Sequence, residues 1–259
     1  MPVRVTLPPS LKGALTDRPA VGCWLASASP VAAEIVAASG FDFIIIDAEH
    51  SPNELATTLS LLQVTAAYPG VTAVRLPVND EVVIKQFLDL GAQTIIVPMV
   101  NRVEDAERAV RAARYPDGGV RGIGAALARS ARWGLVPDYL HTATDHITVL
   151  CQIESAEAVS KAADIAAVDG VDGVFIGPAD LAGTMGLLGK TGDQAVVDAV
   201  ESVIADVLAA GKIVGVNAFD KTFADRYVAA GAQFVAVTAD VTLLVAGARS
   251  TLSAWSTDN

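Results

Sequence analysis

Short apolar runs rich in valine and isoleucine recur along the chain, with helix-like stretches between them. The runs span 20–26 (AVGCWLA), 42–47 (DFIIID), 71–76 (VTAVRL), 94–99 (TIIVPM), 147–154 (ITVLCQIE), 172–177 (DGVFIG), 212–217 (KIVGVN) and 233–238 (QFVAVT). None alternates strictly between apolar and polar residues, the pattern of strands buried on both faces of a parallel sheet. The intervening segments carry helix punctuation. Ser29-Pro30 offers an N-cap and a favoured first helical residue before VAAEIVAASG, which ends on Gly40 as a C-cap. Ser155 can cap AEAVSKAADIAAV, and Gly91 and Gly231 close helices directly before strands. Eight strands alternating with helices predict an α/β chain folded as a closed (β/α)8 TIM barrel. The alternative is an open doubly wound sheet, but its glycine fingerprint is missing after the first strand, where CWLASASP stands.

Length sharpens this picture. At 259 residues the chain is the usual size of one such barrel, and no linker or shift in composition divides it. We therefore expect a single domain over 1–259. Residues 1–19 form a leader, and 115–146 form a long excursion after the fourth strand, rich in glycine and carrying Arg121, Arg129, Arg132 and Trp133. Long barrel loops are usually functional or interface elements. Apolar residues make up 52% of the chain, enough for a large core. The net charge of −11 would repel a phosphate backbone, so nucleic acid is not an expected partner. Cys23 and Cys151 lie inside predicted strands and read as small buried apolar residues in a reducing compartment. The N-terminal segment lacks the apolar core of a signal peptide, and no apolar run nears the ~20 residues of a membrane span. The expectation is a cytoplasmic protein.

The chemistry gathers at strand ends. Glu154 and Asp180 follow neighbouring predicted strands, beside the turn Gly177-Pro178-Ala179. Two carboxylates with open positions suit a hard divalent cation such as Mg2+ or Mn2+, completed by water and the oxygens of a 2-oxo acid. Such a cation acts as a Lewis acid on a keto group and stabilises an enolate. Asp47, Glu49 and His50 follow the second strand, and Arg75 ends the third. Arg75 reads either as a buried ion-pair partner or as fixed positive charge on a developing enolate oxygen. Gln152, two residues before Glu154, points to the same barrel face. His50 suits proton transfer near neutral pH, whereas His141 and His146 receive no role. A short extra helical turn over 180–186 would present the N–H groups of Ala179 and Asp180 to an anion. None of the six lysines (Lys12, Lys85, Lys161, Lys190, Lys212 and Lys221) ends a strand on this face, which disfavours a Schiff base.

The segments DAEHSPN (47–53), RLPVND (75–80), RGIGAALARSARWG (121–134), QIES (152–155) and VDGVFIGPADLAGTMG (171–186) resemble the HpcH/HpaI class II pyruvate aldolases, especially those acting on 4-hydroxy-2-oxoheptane-1,7-dioate. The resemblance runs from about residue 12 through nearly the whole chain. It implies a barrel of the phosphoenolpyruvate/pyruvate superfamily whose eighth helix is swapped between partners, with dimers assembling into hexamers. It implies that Glu154 and Asp180 ligate Mg2+, Mn2+ or Co2+, and that Arg75 sits on the enolate. His50 assists proton transfer, paired with Asp89. Gln152 orients substrate, and the pyruvate carboxylate rests on Gly177, Pro178, Ala179 and Asp180. Asp89 ends the helix leading into strand four, at the bottom of the barrel, so its pairing with His50 requires a neighbouring subunit. Asn217, at the end of strand seven, departs from the apolar residue expected there. The implied reaction is reversible cleavage of 4-hydroxy-2-oxo acids to pyruvate and an aldehyde. The alternatives are a 2-dehydro-3-deoxyglucarate aldolase or an oxaloacetate decarboxylase using the same enolate.

Overall fold

A computed structural model describes residues 5–116 and 118–255; residues 1–4 of the leader and 256–259 of the expected domain lie outside them. Eight parallel strands close into a barrel in the order β1 to β8. They are β1 (Ala20–Leu25), β2 (Phe43–Asp47), β3 (Val71–Arg75), β4 (Thr94–Val97), β5 (Thr148–Ile153), β6 (Gly173–Ile176), β7 (Ile213–Asn217) and β8 (Phe234–Ala239). Each falls on one of the eight apolar runs, so the barrel expectation is met. The helices are α1 (Leu11–Ala14), α2 (Pro30–Ala38), α3 (Leu55–Thr65), α4 (Glu81–Asp89), α5 (Val103–Ala113), α6 (Tyr139–His146), α7 (Ala156–Val159), α8 (Ala162–Ala167), α9 (Pro178–Thr184), α10 (Gln194–Ala209), α11 (Lys221–Ala229) and α12 (Asp240–Trp255).

The caps act as the sequence predicts. Ser29 Oγ accepts from Ala32 N at 3.2 Å and Ser155 Oγ from Ala158 N at 3.1 Å. Gly91 and Gly231 take φ of +93° and +112°, a region open to glycine at little cost. One difference follows Ser155. The single helix expected there arrives as α7 and α8, interrupted where Ser160 Oγ donates to the Glu157 carbonyl and competes for the backbone.

The inner wall is packed by size complementarity. Gly22 lies so close to the Phe43 ring that a Cβ there would sit 2.2 Å from it, and Gly215 stands in the same relation to Phe234. Phe43 and Phe234 meet edge to face at 5.7 Å, as do Trp24 and Phe175. Below them α1 plugs the barrel floor. Leu11 is buried, and its N–H donates to Thr94 Oγ1 at 2.9 Å. Cys23 and Cys151 are free and buried, and burial pushes both thiols up to about 12. Among the described residues, no helix is long and apolar enough to cross a membrane.

Two features depart from a minimal barrel. The 115–146 excursion leaves the C-terminal end of α5, not the end of β4, so it lies at the floor of the barrel. There Arg121, wholly buried, donates through Nη2 to Asp89 Oδ1 at 2.7 Å and lies 4.5 Å over the Tyr115 ring. The second departure is α12. Asp240 anchors its start by accepting from Ala26 N, Ser27 N and the Ser27 hydroxyl. Every later residue of the helix is exposed, including Leu244, Leu252 and Trp255. An apolar cavity of about 430 Å³, lined by Val21, Val228, Val235 and Val237 among others, lies outside β1 and β8.

Candidate active site

The C-terminal mouth of the barrel brings most of the predicted residues together. Asp47, His50, Arg75, Gln152, Gly177, Ala179 and Asp180 line one cavity of about 240 Å³. Pro178 is buried beneath it as the first residue of α9. Because they stand in the first turn of α9, Ala179 and Asp180 have backbone N–H groups with no intrahelical acceptor.

Arg75 is held on three sides. β2 and β3 pair so that Asp47 and Arg75 stand in register. Arg75 then donates through Nε to Asp47 Oδ1 at 3.0 Å and through Nη2 to Asp47 Oδ2 at 2.8 Å. Its guanidinium lies 4.4 Å over the Trp24 ring, and Nη1 faces Glu49 Oε2 at 3.3 Å as an ion pair. A bidentate, stacked guanidinium is a fixed fork, which lysine cannot reproduce. Asp47 also builds the turn that follows. Its Oδ1 accepts from Glu49 N and His50 N, and its carbonyl accepts from Asn53 Nδ2 and the Ser51 hydroxyl. That turn sends His50 outward, 63% exposed at the side chain, with Nε2 3.9 Å from Glu49 Oε2.

Glu154 is 2% exposed, just past β5. Its Oε1 accepts from Met99 N at 2.8 Å, and its Oε2 accepts from Gln152 Nε2. Met99 takes φ of +53° to offer that N–H, an uncommon conformation for a side-chain-bearing residue and the kind retained at functional sites. Gly177 gives the carboxylate room, because a Cβ there would lie 3.0 Å from Glu154 Oε2 and push it aside. Burial, and after it the charge of Asp180, raises the Glu154 carboxyl above its usual range despite those two hydrogen bonds. Burial likewise raises Glu49, with Glu154 adding to the effect and Arg75 opposing it. Gln152 Oε1 and Glu49 Oε2 are buried without a hydrogen-bond partner.

No cluster of three or more His, Cys, Asp or Glu side chains that could hold a metal occurs among the described residues. Glu154 and Asp180 lie near enough for the charge of one to act on the other. Such a pair of oxygen donors fits a hard divalent cation.

Asp89 does not join this group. It lies at the end of α4, on the barrel floor, engaged with Arg121. Asp47 and Glu49 gain roles that sequence alone did not assign them. The available signal was their position at the end of a strand adjacent to the one that ends in Arg75.

A parallel barrel whose C-terminal mouth combines clustered carboxylates, a fixed arginine and an exposed histidine is built as an enzyme. Residues 20–246 match the family model described as HpcH/HpaI aldolase/citrate lyase. A 4-hydroxy-2-oxo-heptane-1,7-dioate aldolase from Salmonella arizonae is 51% identical over 233 residues, covering 90% of this chain and 89% of its own. The crystal structure of a family protein from Burkholderia cenocepacia J2315 superposes with a TM-score of 0.88 at 39% identity, covering 92% of this chain and 94% of that one. The crystal structure of the citrate synthase SbnG gives 0.82 at 29% identity, covering 92% and 93%. The chain belongs to the HpcH/HpaI aldolase/citrate lyase family, and with it to the carbon–carbon lyases.

Proposed function

We propose that the chain is a metal-dependent, cytoplasmic aldolase that reversibly cleaves 4-hydroxy-2-oxo acids to pyruvate and an aldehyde. The observation that carries this reading is the convergence, in one cavity, of the Arg75 fork, the Gln152 amide, Asp47 and Asp180, with Glu154 buried behind Gln152 and accepting from its amide. Glu154 and Asp180 would hold the divalent cation (Mg2+, Mn2+ or Co2+), which when bound supplies Lewis-acid polarisation of the 2-keto group.

The protein's own residues perform the rest. The substrate carboxylate rests at the Gly177–Asp180 turn, against the N–H groups of Ala179 and Asp180. Gln152 orients the substrate. His50 takes the 4-hydroxyl proton at its imidazole as the C3–C4 bond breaks. The bonding pair moves onto the former keto group, giving the pyruvate enolate, and the aldehyde leaves. Arg75, immobilised by Asp47 and Trp24, donates to the enolate oxygen as charge develops there. The proton held at His50 then returns to C3, giving pyruvate.

Asp89 orients the His50 imidazole from a neighbouring subunit in this reading, since its own chain keeps it at the floor. The exposed apolar face of α12 and the cavity beside β1 and β8 support dimers formed by exchange of that helix, assembling into hexamers. Mixing two inactive oligomers, His50→Ala and Asp89→Asn, should restore activity through hybrid sites with both residues intact. No recovery after proven subunit exchange rejects the shared site.

The direct test is pyruvate release from a 4-hydroxy-2-oxo acid with and without EDTA. Turnover should vanish on chelation and return with Mn2+ or Mg2+. Full turnover in metal-free enzyme, or a borohydride-trapped lysine adduct, overturns the reading.

A further inference from the structure

The cavity that holds the carboxylates opens on one side. A second cavity of about 330 Å³ abuts it, and the two share Ala179, Asn217 and Phe219. The further walls of this chamber include Thr191, Phe223 and Tyr227, and among the described residues of this chain no lysine, arginine or histidine lines it. The one charge there is Asp220, whose carboxylate is committed to Thr222 N at 2.7 Å as the cap of α11.

Asn217 stands at the junction, and its amide orientation is fixed by chemistry. Trp24 Nε1 can only donate, and it lies 2.8 Å from Asn217 Oδ1. The Nδ2 end is thereby directed away from Trp24, and among the described residues it has no protein acceptor. A pair of N–H donors is thus free between the two chambers. Trp24 also stacks on Arg75, so the same indole fixes both the pyruvate end and the junction.

We infer that the chamber beyond Asn217 is the acceptor subsite, and that it selects uncharged aldehydes carrying a hydroxyl next to the aldehyde carbon. The inference rests on the aldolase reading above. The pyruvate unit belongs at the end with Arg75, Gln152 and Asp180. Chain beyond the newly formed bond then runs past Asn217 into the aromatic chamber. A hydroxyl oxygen at the junction accepts from Nδ2. A terminal carboxylate would find no cation in the chamber and would meet Asp220, losing hydration without compensation.

The test uses the Mn2+-loaded enzyme with pyruvate and matched acceptors: glycolaldehyde against acetaldehyde, glyceraldehyde against propanal, and succinic semialdehyde. Deuterium exchange at pyruvate C3, without acceptor, is the control for the aldolase reading. Exchange should occur, and kcat/KM should favour each hydroxylated aldehyde over its partner by about five- to tenfold beyond the ratio shown by Asn217→Leu, the worth of one hydrogen bond. Succinic semialdehyde should fall at least about tenfold below glyceraldehyde, for want of a paired charge. Thr191→Phe, at an exposed position, narrows the chamber without touching Asn217 and should depress glyceraldehyde relative to glycolaldehyde. Exchange with an unchanged ratio in Asn217→Leu, no effect of Thr191→Phe, or a preference for succinic semialdehyde overturns the subsite and leaves the aldolase standing. Absence of exchange overturns both.

Discussion

The two ends of this barrel bury charge of opposite sign and dispose of it differently. At the floor, Arg121 pairs with Asp89, and Arg129 and Arg132 lie close by against Gly91. Arg129 donates to the carbonyls of Leu90 at 2.9 Å and Leu62 at 3.2 Å, Arg132 donates to the carbonyl of Arg129, and Arg121 faces Asp89 and the Tyr115 ring. Burial, with Arg132 nearby, lowers Arg129 to about 10, yet its donors have acceptors. At the mouth, Asp47 and Glu49 pair with Arg75, and Glu154 lies near enough to feel its charge. Asp47 is satisfied by Arg75, whereas Glu49 and Glu154 are raised and Glu49 Oε2 is without a hydrogen bond. At the floor the excess is divided among backbone carbonyls, Asp89 and the Tyr115 ring, which ties the excursion down although Arg121 Nε and Nη1 make no hydrogen bond. The same excess left open is a place for a ligand of opposite sign.

Removing the mouth carboxylates should give the largest effect. Glu154→Ala or Asp180→Ala should lower turnover by at least about 10³-fold, given the several kcal/mol that a catalytic cation supplies. The metal-free Asp180→Ala protein should keep its Tm, whereas Glu154→Ala should stay folded but lose a few degrees, because Met99 N and Gln152 Nε2 lose their acceptor. A stable variant with ordinary turnover would remove the distinction between the two ends.

Arg75→Lys tests the fixed fork. It keeps the charge but loses the bidentate grip on Asp47. Exchange at pyruvate C3 should slow by roughly 10²-fold, as for loss of one oxyanion donor. An unchanged rate would make Arg75 a structural ion-pair partner, like Arg121.

At the floor the readout is stability. Arg121→Met should destabilise by about 2 kcal/mol, less than for a fully buried pair because Asp89 is partly exposed to water. For a domain of this size that is roughly a 6 °C loss in Tm. No change in Tm would show that the floor cluster holds nothing together.

The smallest effect is one of pH. A carboxyl raised in the fold favours the protonated state, so the stability it lends the metal-free protein is present at acid pH. That stability is lost as pH rises through the raised value. Glu49 and Glu154 both act in this direction. Bound Mn2+ should reverse it, and the gain in Tm on adding Mn2+ should exceed the gain at acid pH by roughly 3 °C for each tenfold change in affinity. An equal gain at pH 5 and pH 8 would count against Glu154 as a ligand.

The barrel was legible because buried parallel strands write themselves as uninterrupted apolar runs, and all eight runs became strands. That Gln152, Glu154, Asp180, Arg75 and His50 would stand at the C-terminal mouth was legible, because each lies in or just past the end of an apolar run. The Asp47–Arg75 pair was not, since it depends on the register between β2 and β3, which a linear sequence does not carry. The pairing of Arg121 with Asp89 was hidden for the same reason, as 32 residues separate them along the chain. The 115–146 excursion was placed by its order after the fourth strand. The intervening α5 moves it to the other end of the barrel.

The contacts of Gly22 with Phe43 and of Gly215 with Phe234 constrain how this chain can vary. Each ring fills the space that the facing glycine leaves empty. Enlarging the glycine alone produces a clash, and shrinking the phenylalanine alone produces a void. Neither position can drift without the other, so each pair should be inherited as a unit. Viable exchanges, such as alanine with leucine, should arise only as double changes. Because Phe43 and Phe234 also touch each other, a change in one pair narrows what the second can accept. The inner wall of the barrel thus limits sequence change more tightly than its apolar composition alone implies.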